Sequence, residues 1–514
     1  MTTPRTIDEV FVAAAGRDAA AVHLVLPDDR AVSYGETLAR ARRLAGALTA
    51  AGIGPGDRVA AFMRTARELH ETYIACGLAG AIAVPVNGLN TARENGLLFA
   101  DCTPAALIVE AAMLDRVPDE ILPASLKLRL VTQGAASSWR AYDGELEASP
   151  ELAGPGRSRP GDAGLIIYSS GTTGTPKGIV LGQQALVDNA LMASGVLGYR
   201  ADDRFLTILP AYSSFGYSFD FLQAALAGSS TVMTPAFNAA AAVELIERHR
   251  VTCLAGVPTM FVRMAEHMAG RDLTCLRLID VGGGPVPEKL KQDLRTTLGC
   301  ETVESYGLTE ISPVASVQKP GAPTRPGSCG PPLPGIEARV VDEADRDVPP
   351  GRAGELIFRC RTLMLGYWNQ PELTERTLRG GWLHSGDIGT IDEAGHLYIL
   401  DRLKDMIVTS GNNVYPKEVE NVIFDHPAVQ SVAVVGLPDE VRGENVHAFV
   451  VLAPGARATE AAIVEHCRRN LARFKVPRGV TFIDELPLTG SGKIRRFKLR
   501  ELAKAAPAGR GAAQ

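Results

Sequence analysis

Long apolar runs, paired cysteines and basic blocks are all absent from this sequence. It contains no run of roughly 18 apolar residues, so we expect no helix to span a membrane. The eight cysteines stand apart and form no C-x-x-C pair, which excludes a zinc ribbon or a disulfide framework and favours reduced thiols in the cytoplasm. The net charge of −5 comes without a basic cluster, which excludes a general nucleic-acid binder.

The N-terminal segment also lacks the pattern of a signal peptide, because Asp8 and Glu9 interrupt its short apolar stretch. The 514 residues are too many for one hydrophobic core, so we expect two or more domains. With 46% apolar and 22% charged residues, the composition is that of an ordinary globular protein. We therefore expect a multidomain cytoplasmic protein.

One stretch, residues 168–178 (YSSGTTGTPKG), is rich in glycine and hydroxyl side chains and follows a short apolar strand at 165–167. Glycines let the backbone approach an anion closely, and successive N–H groups form a concave nest around it. Lys177 adds a positive charge suited to phosphate. No Ser or Thr follows Lys177, so the stretch is not a Walker A motif. It predicts a triphosphate cradle; taken alone, a flexible surface loop is the alternative.

Four further stretches give the cradle its context. They are residues 305–310 (SYGLTE), 381–387 (GWLHSGD), 401–405 (DRLKD) and 490–493 (GSGK). With the cradle, they resemble the ordered motifs of the acyl-adenylate-forming superfamily, which includes acyl-CoA synthetases, stand-alone adenylation enzymes and luciferases. The resemblance extends from about residue 33 to 500, nearly the whole chain.

Strands and helices alternate along the first 300 residues, for example a strand at 59–63, a helix at 68–79 and a strand at 81–86. This rhythm predicts right-handed parallel units with helices on both faces. Short strands after residue 337 predict a β-rich subdomain, and residues beyond 401 read as a compact α+β unit. The fold class is therefore α/β, with doubly wound sheets in a large N-terminal domain and a small mobile C-terminal domain.

The expected domain bounds follow from these patterns and motifs. The N-terminal domain takes residues 1–400, the hinge 401–405 and the C-terminal domain 406–504, with a disordered tail at 505–514.

Making an acyl adenylate requires a carboxylate to attack the α-phosphate of ATP, so the protein must hold two anions together and spread their charge. The resemblance implies that Asp387 holds the ribose hydroxyls, Tyr306 faces the adenine and Arg402 makes a second ribose or phosphate contact. The implied nucleotide-binding residues are Ser169, Ser170, Gly171, Thr172, Thr173, Gly174, Lys177, Gly283, Gly284, Pro285, Tyr306, Asp387 and Arg402.

Three residues are expected at the reacting centre. Glu310 is the candidate Mg²⁺ ligand, because a hard cation that bridges phosphates needs few carboxylates besides water. Thr309 is expected to donate to the α-phosphate. Lys493 is expected to swing in with the C-terminal domain and neutralise charge between the carboxylate and the α-phosphate.

The resemblance also implies a second pose, reached by rotation of the C-terminal domain about Lys404. In that pose Ser410, Gly411 and Asn412 line a thiol channel, where a side chain at position 411 would obstruct a pantetheine arm. Asp401 stands where the family often has glycine, so we expect the flexibility of this hinge to differ.

The acyl pocket departs from the family in two places. Ser213 stands where many acyl-CoA synthetases carry histidine. Phe215 stands where amino-acid-activating members bind the α-amine with aspartate, so an α-amino acid is not expected. Asp220, on a predicted helix at 219–226, has two interpretations: a contact for an amine elsewhere on the substrate, or a carboxylate on the helix surface. The expected pocket residues are Tyr212, Ser213, Phe215, Gly216, Asp220, Gly282 and Ile311.

These features predict an ATP-dependent carboxylic acid–CoA ligase that works through acyl-AMP and uses ATP, Mg²⁺ and coenzyme A. One alternative is a stand-alone adenylation enzyme that loads an acyl or β-amino acyl group onto the phosphopantetheine of a separate carrier protein. A second alternative is a non-catalytic nucleotide-binding protein, although binding alone does not require Lys493. A homodimer is compatible with the sequence, and the acid is left open.

Overall fold

The computed structural model describes residues 3–169, 177–284, 286–323, 325–439, 441–489 and 492–505. Within these residues the backbone forms two eight-stranded sheets, one four-stranded sheet and one five-stranded sheet. No helix in the described ranges is long and apolar enough to cross a bilayer. The α/β fold class is confirmed, with two large sheets, a β-rich unit and a smaller C-terminal α+β unit.

Sheet I carries the strands on either side of the predicted phosphate cradle. Its central strands are parallel, whereas Lys177–Gly182 runs antiparallel to both of its neighbours. In spatial order the strands are Gly366–Tyr367, Lys177–Gly182, Ala163–Ser169, Ile82–Val86, Arg58–Phe62, Ala106–Glu110, Leu128–Thr132 and Arg140–Ala141.

Sheet II is also parallel at its centre and antiparallel at both edges. Its strand Glu301–Gly307 leads directly to Thr309 and Glu310. In spatial order the strands are Val314–Val317, Glu301–Gly307, Leu278–Val281, Cys253–Gly256, Arg204–Leu206, Ser230–Val232, Val22–Val25 and Ala31–Ser33.

Two smaller sheets complete the chain. Sheet III is antiparallel and consists of Glu337–Val341, Gly354–Arg359, Leu383–Ile391 and Leu397–Arg402. Sheet IV consists of Asn412–Val414, Ile407–Thr409, Gly443–Leu452, Val429–Asp439 and Gly479–Phe482. We call the described residues up to 402 the large lobe and those from 407 onward the small lobe.

Helices pack on the sheets, and one of them lies in the deepest part of the core. Helix Arg67–Ala79 is buried from Glu68 to Ala79, as expected of a helix enclosed on all sides. The other helices of the large lobe are Ile7–Arg17, Tyr34–Ala50, Ala92–Cys102, Tyr142–Ala148, Gln183–Leu197, Ala239–His249, Pro258–Ala265, Glu288–Leu298 and Pro371–Thr377. Those of the small lobe are Pro416–Phe424, Glu460–Asn470 and Arg496–Ala505.

The helix predicted at 219–226 is longer than its sequence pattern indicates. It begins at Ser214 and ends at Ala227, with a π-helical segment at Tyr217–Gln223. Phe219 packs against Phe205 on one side, and Phe221 stacks on Phe11 on the other. The helix therefore lies between two hydrophobic cores.

This position corrects the helix-surface interpretation of Asp220. The side chain is fully buried and, within the described residues, neither carboxylate oxygen has a hydrogen-bond partner. Burial raises the pKa of Asp220 well above its ordinary value. The sequence shows apolar residues on this helix but does not show that the protein also buries the face that carries Asp220.

Candidate active site

Asp387 and Arg402 are brought together by strand pairing. They lie directly opposite each other on adjacent antiparallel strands of sheet III, and Arg402 Nε lies 2.8 Å from Asp387 Oδ1. The Tyr306 hydroxyl donates to Asp387 Oδ2 at 2.6 Å. Burial raises the pKa of Asp387, and the charge of Arg402 opposes that shift. A carboxylate fixed at both oxygens still has lone pairs for ligand hydroxyls.

Glu310 and Lys177 are linked through Tyr367. The Tyr367 hydroxyl donates to Glu310 Oε1 at 2.9 Å, and Lys177 Nζ lies 5.6 Å from the centroid of the Tyr367 ring. Burial and the Glu310 charge raise the pKa of Tyr367, so it stays a hydroxyl donor at neutral pH. The residue that ends the cradle and the candidate metal ligand thus share one neighbour.

Lys493 approaches from the small lobe. Thr259 Oγ1 donates to Gly492 O at 3.1 Å, and Lys493 Cε lies 3.6 Å from the point where a Cβ on Gly283 would stand. Lys493 keeps solvent contact, yet the surrounding protein displaces bulk water and lowers its pKa. Arg402 lowers that pKa further, while Asp387 opposes the shift. The lysine is therefore within electrostatic range of Arg402 and Asp387.

The backbone at residues 282–284 has no room for side chains at its first position. A Cβ on Gly282 would lie 2.6 Å from Ser305 Oγ and 2.9 Å from Ser305 O. Gly283 has a φ of +73°, which favours glycine. Phe215 Cδ1 lies 3.8 Å and Lys493 Cε 3.6 Å from the point where a Cβ on Gly283 would stand, so both side chains are neighbours of this segment.

Ser213 and Ser214 begin the helix that borders the predicted acyl pocket. Ser213 Oγ accepts from Gly216 N at 3.1 Å and donates to Pro210 O at 2.8 Å, so this hydroxyl serves as an N-cap. The Ser214 and Thr309 hydroxyls lie 2.9 Å apart. The pocket segment and the candidate α-phosphate donor are therefore directly connected.

The remaining pocket candidates differ in accessibility. Tyr212 and Phe215 are half-buried, whereas Gly216, Gly282 and Ile311 are buried. A Cβ on Gly88 would lie 3.9 Å from Tyr212 Cε1, so Gly88 is a neighbour of this pocket candidate.

The predicted thiol-channel residues lie apart from this cluster, on a hairpin of sheet IV. Ser410 and Gly411 form its turn with φ values of +50° and +76°, and Ser410 N donates to Arg442 O at 2.8 Å. All three channel candidates, Asn412 included, are exposed. Lys404 is exposed too, and its pKa is lowered by partial burial and by Arg402.

The other predicted nucleotide-binding residues are either exposed or outside the described residues. Ser169 ends strand Ala163–Ser169 and is exposed, and Gly284 is exposed as well. Ser170, Gly171, Thr172, Thr173, Gly174 and Pro285 lie outside the described residues, as does the tail from residue 506 onward.

The residues that support these candidates carry no motif in the sequence and were not predicted. Tyr168 hydrogen-bonds Asp101 Oδ2 at 2.5 Å, and Trp368 Nε1 donates to the backbone O of Asp101 at 3.1 Å. Together with Tyr367 they fix the strands that flank the cradle. In the sequence, the one signal for these supports is the pair of adjacent aromatic residues after a glycine at residues 366–369 (GYWN). No hydrophobic periodicity marks this stretch as a strand.

Residues 11–368 match the AMP-binding enzyme family, and residues 418–493 match the AMP-binding enzyme C-terminal domain. The chain belongs to the family of AMP-binding enzymes. It is a member of the acyl-adenylate-forming superfamily, in the acid–CoA ligase branch. The predicted family is thereby confirmed.

Individual relatives cover nearly the whole chain. The fatty acid–[acyl-carrier-protein] ligase ScoC of Streptomyces coeruleorubidus is 36% identical over 93% of this chain and 92% of its own. An indoleacetate–CoA ligase of Aromatoleum aromaticum is 35% identical over 92% of this chain and 94% of its own. The crystal structure of the anthranilate CoA ligase AuaEII in complex with anthranoyl-AMP superposes with a TM-score of 0.92, 29% identity and coverage of 98% and 99%.

Proposed function

We propose that this protein is an ATP-dependent carboxylic acid–CoA ligase. In the first step a carboxylate oxygen of the acid bonds to the α-phosphorus of ATP and pyrophosphate leaves. In the second step the thiol of coenzyme A attacks the acyl carbonyl, the thiol proton is released and AMP leaves. The observation that carries the proposal is the position of Lys493, a residue of the small lobe, at Gly283 of the large lobe.

In the first step, the described residues divide the work. Asp387, supported by Tyr306 and Arg402, would hold the ribose. Lys177 would contact the outer phosphates, and Thr309 would donate to the α-phosphate. Lys493 would neutralise charge that develops between the two anions, the kind of electrostatic stabilisation that lowers such barriers most.

A magnesium ion fits at Glu310. Its half-buried carboxylate has Oε1 held by Tyr367, and carboxylate oxygen is a ligand that Mg²⁺ prefers. When bound, the ion would supply positive charge to the phosphates of ATP.

The second step requires the small lobe to move. We propose that Lys404, between the last strand of sheet III and the first strand of sheet IV, is the pivot of a hinge at 401–405. Residues up to 400 would form the N-terminal domain and 406–504 the C-terminal domain. Rotation would bring Ser410, Gly411 and Asn412, now exposed, to the acyl adenylate. The eight free cysteines support a reducing compartment, and we propose the cytoplasm.

A carrier protein is the second candidate acceptor. It is favoured by the name of ScoC, a ligase for an acyl carrier protein. In that case the phosphopantetheine arm of the carrier would take the place of coenzyme A in the second step.

The test measures the two steps separately over a panel of carboxylic acids. Acid-dependent exchange of labelled pyrophosphate into ATP would demonstrate adenylation, and AMP release on adding free coenzyme A would identify the acceptor. Turnover only with a holo carrier protein would favour the second candidate. Absence of exchange with every acid, in protein that binds ATP, would contradict ligase activity.

A further inference from the structure

Tyr367 stands between the two charged groups that the proposed function assigns to the phosphates of ATP. Its hydroxyl donates to Glu310 Oε1 at 2.9 Å. The face of its ring lies 5.6 Å from Lys177 Nζ, a distance at which a cation is attracted to the ring. One side chain thus contacts both the candidate metal ligand and the lysine at the end of the cradle.

The backbone around Tyr367 is attached to the same two neighbours. Tyr367 pairs with Ile179 across the edge of sheet I, on the strand that begins at Lys177. Three residues earlier, Met364 N donates to Glu310 O at 2.8 Å. Movement of Tyr367 relative to either partner would therefore break backbone hydrogen bonds.

Gly366 fixes the orientation of the tyrosine. Its φ is +146°, and a Cβ there would lie 2.9 Å from Thr374 Cγ2. Thr374 Oγ1 accepts from Tyr367 N at 2.8 Å. A residue with a side chain at 366 would displace Thr374 and release the backbone of Tyr367.

The charges around Glu310 explain why an orienting group is needed. Arg402 and Lys493 both interact electrostatically with Glu310. A carboxylate free to rotate would be attracted to these cations, which compete with a metal ion for its oxygens. A neutral hydroxyl fixes one carboxylate oxygen without cancelling the negative charge.

We propose that Tyr367 is a positioning residue that orients Glu310 toward metal-bound ATP and holds Lys177 at the phosphate cradle. This inference rests on the proposed function. It assigns separable roles to two parts of one side chain: the hydroxyl acts through Glu310, and the ring acts through Lys177.

The experiment measures ATP binding by calorimetry, without any acid substrate, in Mn²⁺ and in EDTA. Tyr367→Phe keeps the ring and removes the hydroxyl. We expect its affinity for ATP with Mn²⁺ to fall about tenfold, the scale of a lost hydrogen bond to a charged group, and its affinity in EDTA to stay unchanged. Tyr367→Leu removes the ring as well, so its affinity should fall under both conditions.

Tyr398→Phe is the matched control. Tyr398 lies on strand Leu397–Arg402 of sheet III, and its hydroxyl donates to Asp392 Oδ2 at 3.1 Å. The variant makes the same chemical change away from Glu310, so its ATP affinities with Mn²⁺ and with EDTA should both stay at the wild-type value. Thermal unfolding of each variant checks that it is folded. Equal loss of affinity with Mn²⁺ and with EDTA in Tyr367→Phe, or no loss at all, would overturn the inference. Failure of the wild-type protein to bind ATP would instead overturn the proposed function.

Discussion

The two ends of the candidate site are built in opposite ways. At the ribose end, Asp387 is 2% exposed and is held by an arginine on the adjacent strand and by the Tyr306 hydroxyl. At the reacting end, Lys493 lies on a loop of another lobe and is exposed to solvent. Its neighbour Gly492 accepts a single hydrogen bond from the large lobe among the described residues, from Thr259.

This difference matches the needs of a two-step reaction. The nucleotide must stay bound through both steps, so its site benefits from groups fixed in advance by buried hydrogen bonds. The charge that Lys493 would neutralise develops in the first step alone. A lysine on a lobe that can move away after that step meets this need. The comparison predicts that variants at the ribose end impair both steps, whereas variants at the reacting end impair one.

The largest expected effect is at Lys493. In Lys493→Ala we expect pyrophosphate exchange to fall about a thousandfold, the upper range for removal of one stabilising group at a developing charge. Thioester formation from preformed acyl-AMP should stay within a few-fold of the wild-type rate. Lys498→Ala, on the following helix and paired with Glu501, is the control and should leave both steps unchanged. An equal loss in both steps would remove the distinction between the two ends.

The next largest effect is expected at Asp387. In Asp387→Asn the charge that pairs with Arg402 is lost, and an amide can accept from the ribose at one atom only. We expect both steps to slow about a hundredfold, because the nucleotide is held in both. Asp392→Asn, in the turn after strand Leu383–Ile391, removes the charge that pairs with Arg325 and should leave both rates unchanged. A loss confined to the first step would contradict the assignment.

The sequence indicated Asp387 and Arg402 as candidates but not the residues that support them. Each of the two stands in an ordered motif, whereas strand Leu383–Ile391, which carries Asp387, was not predicted. Tyr367 is separated from Glu310 by more than fifty residues and meets it only because strand Gly366–Tyr367 joins the edge of sheet I. A pairing of this kind depends on tertiary structure, so local pattern does not reveal it.

The predicted helices show the same limit. The helix predicted at 68–79 is observed at Arg67–Ala79, one residue longer. The helix at Ser214–Ala227 was predicted to begin five residues too late and to end one residue too early. Its start depends on the Ser213 cap, and its π-helical segment, which contains Asp220, depends on packing between two sheets.

A smaller effect is expected where the lobes meet. Asp401 belongs to sheet III through its pairing with Ile388, and its Oδ2 accepts from the backbone N of Lys417 in the small lobe at 2.9 Å. Rotation about Lys404 would break this bond, so Asp401→Ala should slow adenylation about fivefold, the scale of a lost helix-cap bond. Thioester formation from acyl-AMP should not slow.

Thr459→Ala is the control for Asp401. It removes a cap of similar strength from helix Glu460–Asn470, where Thr459 Oγ1 accepts from Ala462 N at 3.2 Å, within the small lobe. If both variants slow adenylation equally, stability of the small lobe rather than contact between the lobes is responsible.

One further effect is expected on stability rather than on reaction rate, at the strand that leads into residues 282–284. Burial raises the pKa of Asp280 from 3.8 to about 7, with Ser305 opposing and Glu304 adding to the shift. The folded protein therefore binds this proton more tightly than the unfolded chain, so the residue's contribution to stability falls as pH rises from about 4 to about 7. Asp280→Asn cannot ionise, so its stability relative to wild type should rise over that interval by up to about 4 kcal/mol.

Urea unfolding at several pH values measures the difference, with Asp293→Asn, which is exposed beside Lys289, as control. A difference between Asp280→Asn and wild type that does not change with pH would show that the pKa of Asp280 is not raised. Asp280 would then hold no buried proton near pH 7.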